Sequence, residues 1–509
     1  MRFRRLSILL VLVIGLAAAF APPAAAGTVH VLRVGTYRGI PGQFNTIQDA
    51  VNSAKPGDWI LVAPGTYHEH ASPEEGVRIT TPGIHLRGMD RKAVIVDGTS
   101  ALAPTACSSS PAYQVPGRNG IVVHKASGVY VENLTVCNFL TGLDGEGGNE
   151  VWWNGGDGSG TIGMHTYWGN YLTATSTYSN GFDNPRGEYG IFVSNADGSG
   201  SINYSYAANM GDAAFYVGAC PNCNGTLNHV RAENSALGYS GTNSGGNLII
   251  RDSEFYNNKT GLVSNSQNND DQPSPQIGAC PPGSSPLVAG ATGCTIFMNN
   301  HIHDNNNPNV PGAGIGLAGA APVGTGVVLA GTQYITLYGN TIDNNGSWGV
   351  LVADLPDQEA APPGFPQCTG GVWDPNTQTC YYQAFGNYVW RNAFANDGFY
   401  GNPSNGDIGL ATTAHNPGNC FHENSDPAGL TSDPPNIQDP PYYPCGTANG
   451  GDMGVLAAEA LCATQLVAPC PNLPAANYPR PVHVQLAPIP AEPGMADPCA
   501  GAPRNPWCR

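Results

Sequence analysis

Within the stretch Gly181-Phe182-Asp183-Asn184-Pro185-Arg186-Gly187-Glu188-Tyr189, carboxylates, a guanidinium and a phenol stand close together in the chain. Such a set can neutralise an acidic group on a ligand, take a proton from carbon and give one to a leaving oxygen. Asp183, Arg186 and Glu188 are therefore candidate catalytic residues. His165, in Gly163-Met164-His165-Thr166-Tyr167-Trp168, is a further candidate acid or base from the preceding turn. Each has a plainer reading: an Asp/Asn/Pro run also makes a turn with a surface ion pair, and a lone histidine in an apolar strand is commonly a hydrogen-bonded structural residue.

Two other groups of residues have types suited to ligands. Asn268-Asn269-Asp270-Asp271 offers oxygens of the kind calcium takes, with Asp270 and Asp271 as the candidate metal ligands, although acidic loops without a defined ligand pattern are usually only solvated. Trp152, Trp153, Tyr167, Trp168, Tyr216 and Tyr239 supply rings able to stack on sugars, and Asn243 a polar partner beside them.

These residues sit on a repeat. The pattern asparagine or serine, any residue, apolar, any residue, asparagine-type appears as Ser253-Glu254-Phe255-Tyr256-Asn257, Asn300-His301-Ile302-His303-Asp304, Asn340-Thr341-Ile342-Asp343-Asn344 and Asn392-Ala393-Phe394-Ala395-Asn396. Weaker copies place Asn138, Asn180, Asn209 and Asn234 at the last position. A Gly-apolar strand recurs in phase, from Gly190 to Ala214, Gly238 and Gly261 in steps of 24, 24 and 23. Short strands at this period specify a parallel β-solenoid, because no single turn buries its own apolar face. Asparagine suits the corner, since it tolerates left-handed backbone and its amide can bond the amides above and below. In that register Arg231, Glu254 and His301 share one outward position, and Glu233, Tyr256, His303 and Asp343 the next. They form a polar ladder in which Glu233 and Glu254 are near enough for acid/base work, or simply a solvated face.

Residues 1–26 read as a secretory leader: Arg2, Arg4 and Arg5, a short apolar run from Leu6, and Ala24-Ala25-Ala26. Without it, 17 basic residues face 37 acidic ones, a balance of −20 that disfavours nucleic acid and anionic lipid. No other stretch is long enough to span a membrane, so an extracellular monomer is expected. The 14 cysteines then imply disulfides, most simply between neighbours: Cys107–Cys137, Cys220–Cys223, Cys280–Cys294, Cys368–Cys380, Cys420–Cys445, Cys462–Cys470 and Cys499–Cys508. Cys220-Pro-Asn-Cys223 is also half of a zinc or redox pattern, but it has no second pair nearby.

Near the start, Thr46 with Asp49 forms a capping box. Ile47, Ala50, Val51 and Ala54 then share one face of a short helix ending before Gly57, followed by the strand Trp59-Ile60-Leu61-Val62. This stretch, Thr46-Ile47-Gln48-Asp49-Ala50-Val51 through Gly57-Asp58-Trp59-Ile60 to Pro64-Gly65-Thr66-Tyr67, resembles the amino-terminal cap of right-handed parallel β-helix proteins of the pectin-lyase-like group. The resemblance implies an all-β right-handed parallel β-helix solenoid over residues 27–426, capped by the helix within about 40–70. The group's pectate lyases, polygalacturonases, esterases and epimerases make a polysaccharide the expected partner. Asp183-Asn184-Pro185-Arg186 partly resembles the Asp-Pro-His-Asp box of alginate epimerases, with Asn184 inserted and Arg186 where histidine would follow. The polygalacturonase, pectin esterase and pectate lyase boxes are absent.

Insertions interrupt the coil at Phe139–Ile162, Gly218–Asn224, Ser264–Cys294, Asn305–Thr325 and Ala353–Gln383. Three of these carry neighbouring cysteine pairs at one corner, where a working groove is expected. Residues 427–509 read as a Pro/Cys-rich, disulfide-pinned tail with one helix over Met453–Val467. Two functions fit: lyase or epimerase chemistry on an acidic polysaccharide, with calcium as the possible cofactor, or a non-catalytic carbohydrate-binding or surface protein.

Overall fold

The structure is a computed structural model, and it describes residues 29–268, 272–412, 418–440, 445, 453–464, 478–490, 492 and 494–509. The leader, Asp270 and Asp271 lie outside the described residues, as does Cys470. Among the described residues the strands form a 20-strand and an 11-strand sheet, parallel throughout, with small antiparallel ribbons of two and three strands beside them.

Each rung gives two strands to the larger sheet and one to the smaller. Gly225–Asn228, Arg231–Glu233 and Leu237–Thr242 make one rung; Leu248–Arg251, Glu254–Tyr256 and Thr260–Asn265 make the next, residue upon residue. Parallel neighbours need a crossover that turns the right-handed way, so the coil is a right-handed parallel β-helix. Inward positions alternate along every strand and fill the interior with Ile250, Phe255, Leu262, Ile302, Val327, Ile342 and Val350.

Two corners of the rung carry the repeat. At the first, His229, Asp252, Asn299 and Arg391 have φ of 53°, 50°, 55° and 55°, and the following residue turns inward. From Asn300 onward that residue is a buried amide. Asn300 Nδ2 donates to Asn340 Oδ1 at 3.0 Å, Asn340 Nδ2 to Asn392 Oδ1 at 2.9 Å and Asn392 Nδ2 to Asn424 Oδ1 at 3.0 Å. The same oxygens accept the backbone N–H of Asn300, Asn340 and Asn392. At the second corner Asn209, Asn234, Asn257, Asn344 and Asn396 all have positive φ. Their amides line up along the edge, Asn234 Nδ2 donating to Asn209 Oδ1 at 2.7 Å and Asn396 Nδ2 to Asn344 Oδ1 at 2.8 Å. One residue further in runs another buried column, Asn258, Asn305, Asn345 and Asp397.

The in-phase glycines answer to that inner column. A Cβ on Gly261 would lie 2.9 Å from Asn305 Nδ2, on Gly326 3.0 Å from Asn345 Nδ2, and on Gly349 2.8 Å from Asp397 Oδ2. Corner amide and glycine strand are therefore one device, which is why they keep step.

Two repeat assignments shift. The corner expected at Asn180 is made by Ser176: Thr175 pairs with Cys137 and Ala208, and Ser176 Oγ donates to Asn138 Oδ1 at 3.3 Å. A hydroxyl does the amide's work there, so the corner comes four residues before Asn180. Phe139–Ile162 also contains a regular rung strand, Asn149–Asn154, paired on both sides in the 11-strand sheet. At the glycine position it carries Glu150, buried, whose carboxylate accepts the Phe139 N–H where other rungs have an inner-column amide.

The helix Ile47–Ser53 starts at Thr46, whose hydroxyl accepts from the Asp49 N–H, and buries Ile47, Ala50 and Val51 over the first rung. Among the described residues six neighbour disulfides form as the spacing suggests. The tail helix covers Met453–Ala463. Beyond it the chain runs back along the coil: Asn234 holds Gln485 O, Asn209 holds Ala487 O, Arg91 holds Gly494 O, Asn133 holds Ala496 O, and Trp507 reaches Ile40 O. Among the described residues no helix is long and apolar enough to cross a membrane.

Two outcomes follow for the columns. Asn340→Ala leaves buried donors and an acceptor unpaired and should cost on the order of 3 kcal/mol in urea unfolding, whereas Asn396→Ala at the exposed edge should cost under about 1. Asp397 ends the inner column with burial pushing its carboxyl up to about 9, against the pull of its hydrogen bonds from Asn345. Unfolded, it ionises near about 4. Folding thus takes up a proton between those values, and stability falls as pH rises through the window. Asp397→Asn should raise the unfolding midpoint at pH 8 and flatten this slope, measured by thermal melts across the range.

Candidate functional site

The loop Gly181–Tyr189 lies where one rung enters the 11-strand sheet, through the strand Tyr189–Ser194. Its backbone is tied down by Thr141, whose hydroxyl accepts from the Arg186 N–H at 3.1 Å and donates to Asn184 Oδ1 at 2.9 Å. Asp183 points to solvent. Arg186 is buried: NH1 donates to Asn184 Oδ1 at 2.6 Å, Nε stands 3.0 Å from Glu188 Oε2, and NH2 donates to Glu188 Oε1 at 3.2 Å. The two stand two residues apart in the segment that leads into the strand, and their side chains meet there. Burial raises the Glu188 carboxyl above its ordinary value, and the Arg186 guanidinium opposes that rise without cancelling it.

On the rung above, Asp212 precedes the strand Ala213–Gly218, and Tyr189 OH donates to Asp212 Oδ2 at 2.9 Å. Neither the pairing nor the partner is visible in the chain, since 23 residues separate them. The signal was the acidic residue one place before a Gly-apolar strand.

The other expected residues are dispersed. His165 sits at the far end of the strand Tyr167–Thr175 from Arg186, exposed, with Nδ1 2.7 Å from Asp197 Oδ1. The structure does not bring it to the Arg186–Glu188 pair. Trp153, Tyr167 and Tyr239 are sealed in the interior, where Trp153 Nε1 donates to Val129 O and Tyr239 OH to Val217 O. They build the core and present no face to a sugar, as each falls on an inward position of its strand. Asn243 is also buried, its amide closing on the backbone of Gln267. Tyr216 is covered by Phe192, edge on at 4.7 Å.

Trp152 and Trp168 do face outward and stay partly exposed. Trp152 stacks on Phe192 at 5.0 Å and donates from Nε1 to Ser194 Oγ. Trp168 ends a stacked column of Trp59, His85, Tyr130 and itself, spaced 4.2, 4.1 and 4.3 Å. The next rung places Ser201 opposite it, leaving one indole face without a ring partner in the column.

The outer side of the 11-strand sheet is apolar along Ala213, Leu237, Val263, Val328 and Ala330, with Tyr189 at one end and Leu355 at the other. Above it opens a cleft of about 450 Å³, walled by Leu317 from the 305–325 insertion and by Leu355, Pro356, Asp357, Gln358 and Glu359 from the stapled 353–383 insertion. That insertion braces the 264–294 one, through the Asn268 N–H on Asp357 Oδ2 at 2.6 Å.

On the larger sheet the outward ladder has the register read from the repeat. Arg231 lies opposite Glu254 and Glu254 opposite His301, while Glu233 lies opposite Tyr256, Tyr256 opposite His303 and His303 opposite Asp343. The Tyr256 and Tyr206 hydroxyls both donate to Glu233 Oε2, at 2.7 and 3.0 Å. Glu233 is thus engaged by phenols and does not face Glu254 as an acid/base partner.

No family model matches this chain, and no curated protein does. Among solved structures it is similar to the A-module of mannuronan C-5 epimerase AlgE4 from Azotobacter vinelandii, at 15% identity over 74% of this chain and 89% of that one, TM-score 0.44. It is similar to the AlgE6 A-module of the same organism at 14% identity, over 76% and 90%, TM-score 0.40. An alginate lyase from Paenibacillus sp. str. FPU-7 is 12% identical, over 79% and 97%, TM-score 0.37. The coil itself rests on this chain's own strand register.

Removing the guanidinium tests the buried pair. Arg186→Gln leaves Glu188 without its counter-charge and should cost on the order of 3 kcal/mol at pH 7. Less should be lost at pH 4, where Glu188 is protonated, as read by urea unfolding at both values.

Proposed function

We propose that the chain is an exported protein that works on an acidic polysaccharide along the outer side of the 11-strand sheet. The arrangement that carries this reading is the Arg186–Glu188 pair and the Tyr189–Asp212 pair on adjoining rungs, at one end of the apolar outer side of that sheet. A uronate carboxylate entering there replaces Glu188 as the counter-charge of Arg186. Glu188, already raised by burial, then takes up a proton and becomes the acid. Tyr189 removes the C5 proton and relays it to Asp212.

If Glu188 protonates the O4 leaving group, the C4–O bond breaks and a C4=C5 double bond forms, which is a lyase. If a proton returns to C5 from the opposite side, the product is an epimer. Trp152, partly exposed on that sheet, is the ring open to sugar contact there. The disulfides fit an oxidising compartment.

The plainer reading is carbohydrate binding without turnover. The Arg186 burial favours it, because the guanidinium is not free until Glu188 lets go. Incubation with alginate, pectate, chondroitin-type and neutral glycans separates the two. Catalysis requires unsaturated uronate absorbance or a changed epimer ratio on one glycan, reduced by about 10²–10⁴-fold in Glu188→Gln and Tyr189→Phe with unfolding midpoints retained. Binding without product on every glycan would leave the carbohydrate-binding reading.

A further inference from the structure

His301 and His303 are two apart on the strand His301–His303 and point to the same outer side; Glu254 lies directly across from His301 on the neighbouring strand. Two residues on alternate positions and a third on the adjacent strand make a three-point cradle, because same-face neighbours in a sheet are about 5–7 Å apart in both directions. One nitrogen of each imidazole and one Glu254 oxygen fall within 4.8 Å of one another. A metal with bonds of about 2.0–2.2 Å holds its donors about 3.4 Å apart; His303 Nε2 and Glu254 Oε1 already stand at 3.3 Å, and rotation of the His301 side chain brings in the third.

The surroundings orient the donors. His303 Nδ1 is 2.8 Å from Asp304 Oδ2, so its Nε2, 3.3 Å from Glu254 Oε1, faces the cradle. His301 Nε2 is 2.7 Å from Asp343 Oδ2. Carboxylates on the outer nitrogens are what a metal-binding imidazole uses to fix its tautomer and raise its basicity. Arg231 Nε, 3.4 Å from Glu254 Oε2, holds the second oxygen of that carboxylate and leaves the first for the cradle. Glu233, Glu254, Asp304, Asp343 and Glu492 outnumber Arg91 and Arg231 in the network, so added positive charge is favoured.

We propose that Glu254, His301 and His303 form a site for a divalent transition-metal cation of the zinc type, on the larger sheet and separate from the Arg186–Glu188 cluster. Imidazole and carboxylate donors suit such a cation better than calcium, which prefers oxygens alone. Three protein donors on a half-exposed face leave at least one coordination position open to water or a ligand oxygen. The site does not depend on the polysaccharide reading.

The test is calorimetric titration of the chelator-treated, dialysed full chain with zinc, with metal content checked by elemental analysis. One zinc per chain is expected. Binding should disappear in the His301→Ala/His303→Ala double variant, weaken about 10–100-fold in Asp343→Asn, and persist in His30→Ala at the far end of the coil. Both histidines lie on the outer side of the sheet and outside the core, which allows these variants to fold, and equal melting temperatures without metal verify it. Absence of zinc binding in the wild-type chain, or stoichiometric binding that survives the double variant, overturns the proposal.

Discussion

Every rung of this coil depends on its neighbours to satisfy what its own backbone cannot. Strand N–H and C=O groups pair up and down the axis, but a corner breaks the ladder and leaves polar backbone inside. The buried Asn columns repair that break. Asn340 Oδ1 accepts both the backbone and the side-chain N–H of Asn300, and Asn340 Nδ2 caps Phe297 O. A side-chain amide has two donor hydrogens and an acceptor oxygen, so a run of them can cap a carbonyl and still pass the bond pattern from rung to rung. The glycines opposite Asn305, Asn345 and Asp397 make room for the inner column. Corner and strand thus constrain each other across the section of the coil.

Stacking in register also decides what the outer faces offer. Like positions fall directly above one another, so rings pile ring on ring and charges meet charges of the next rung. In the column from Trp59 to Trp168 the ring faces between are consumed by neighbours, and the last indole, opposite Ser201, has a face with no ring on it. The carboxyl-terminal tail covers part of the larger sheet, with Arg87 paired to Glu132 and donating to Ala500 O, and Arg91 bound to Gly494 O. The rungs carrying His301 and Asp343 keep a half-exposed outer side.

Buried ionisable groups occur in two settings. Asp397 and Glu150 sit in the coil wall, raised by burial and bonded to backbone or side-chain N–H groups, so a neutral carboxyl serves structure there. Glu188 is also raised by burial, but it faces a guanidinium and keeps part of its side chain exposed. A charge that can be exchanged for another at small cost is what acid/base work needs; a carboxyl locked into a column is not.

Local spacing in the chain specifies the solenoid, its period, the helical cap and the neighbour disulfides: an apolar residue every second position, a corner amide in most rungs, cysteines within one loop. It also set the outward register of Arg231, Glu254 and His301, since a repeat once aligned fixes every position in it. Only the tertiary structure decided which aromatics are core. Trp152 and Trp153 are adjacent in the chain yet face opposite ways, and a strand read as an insertion gave no phase to tell them apart. Likewise His165 and Arg186 are near in number but stand at opposite ends of a strand, whereas Tyr189 meets Asp212 and Arg231 meets Glu492 across gaps that no local pattern spans. Periodicity is a property of the chain; which side chains share a point in space depends on how rungs and tail are laid over one another.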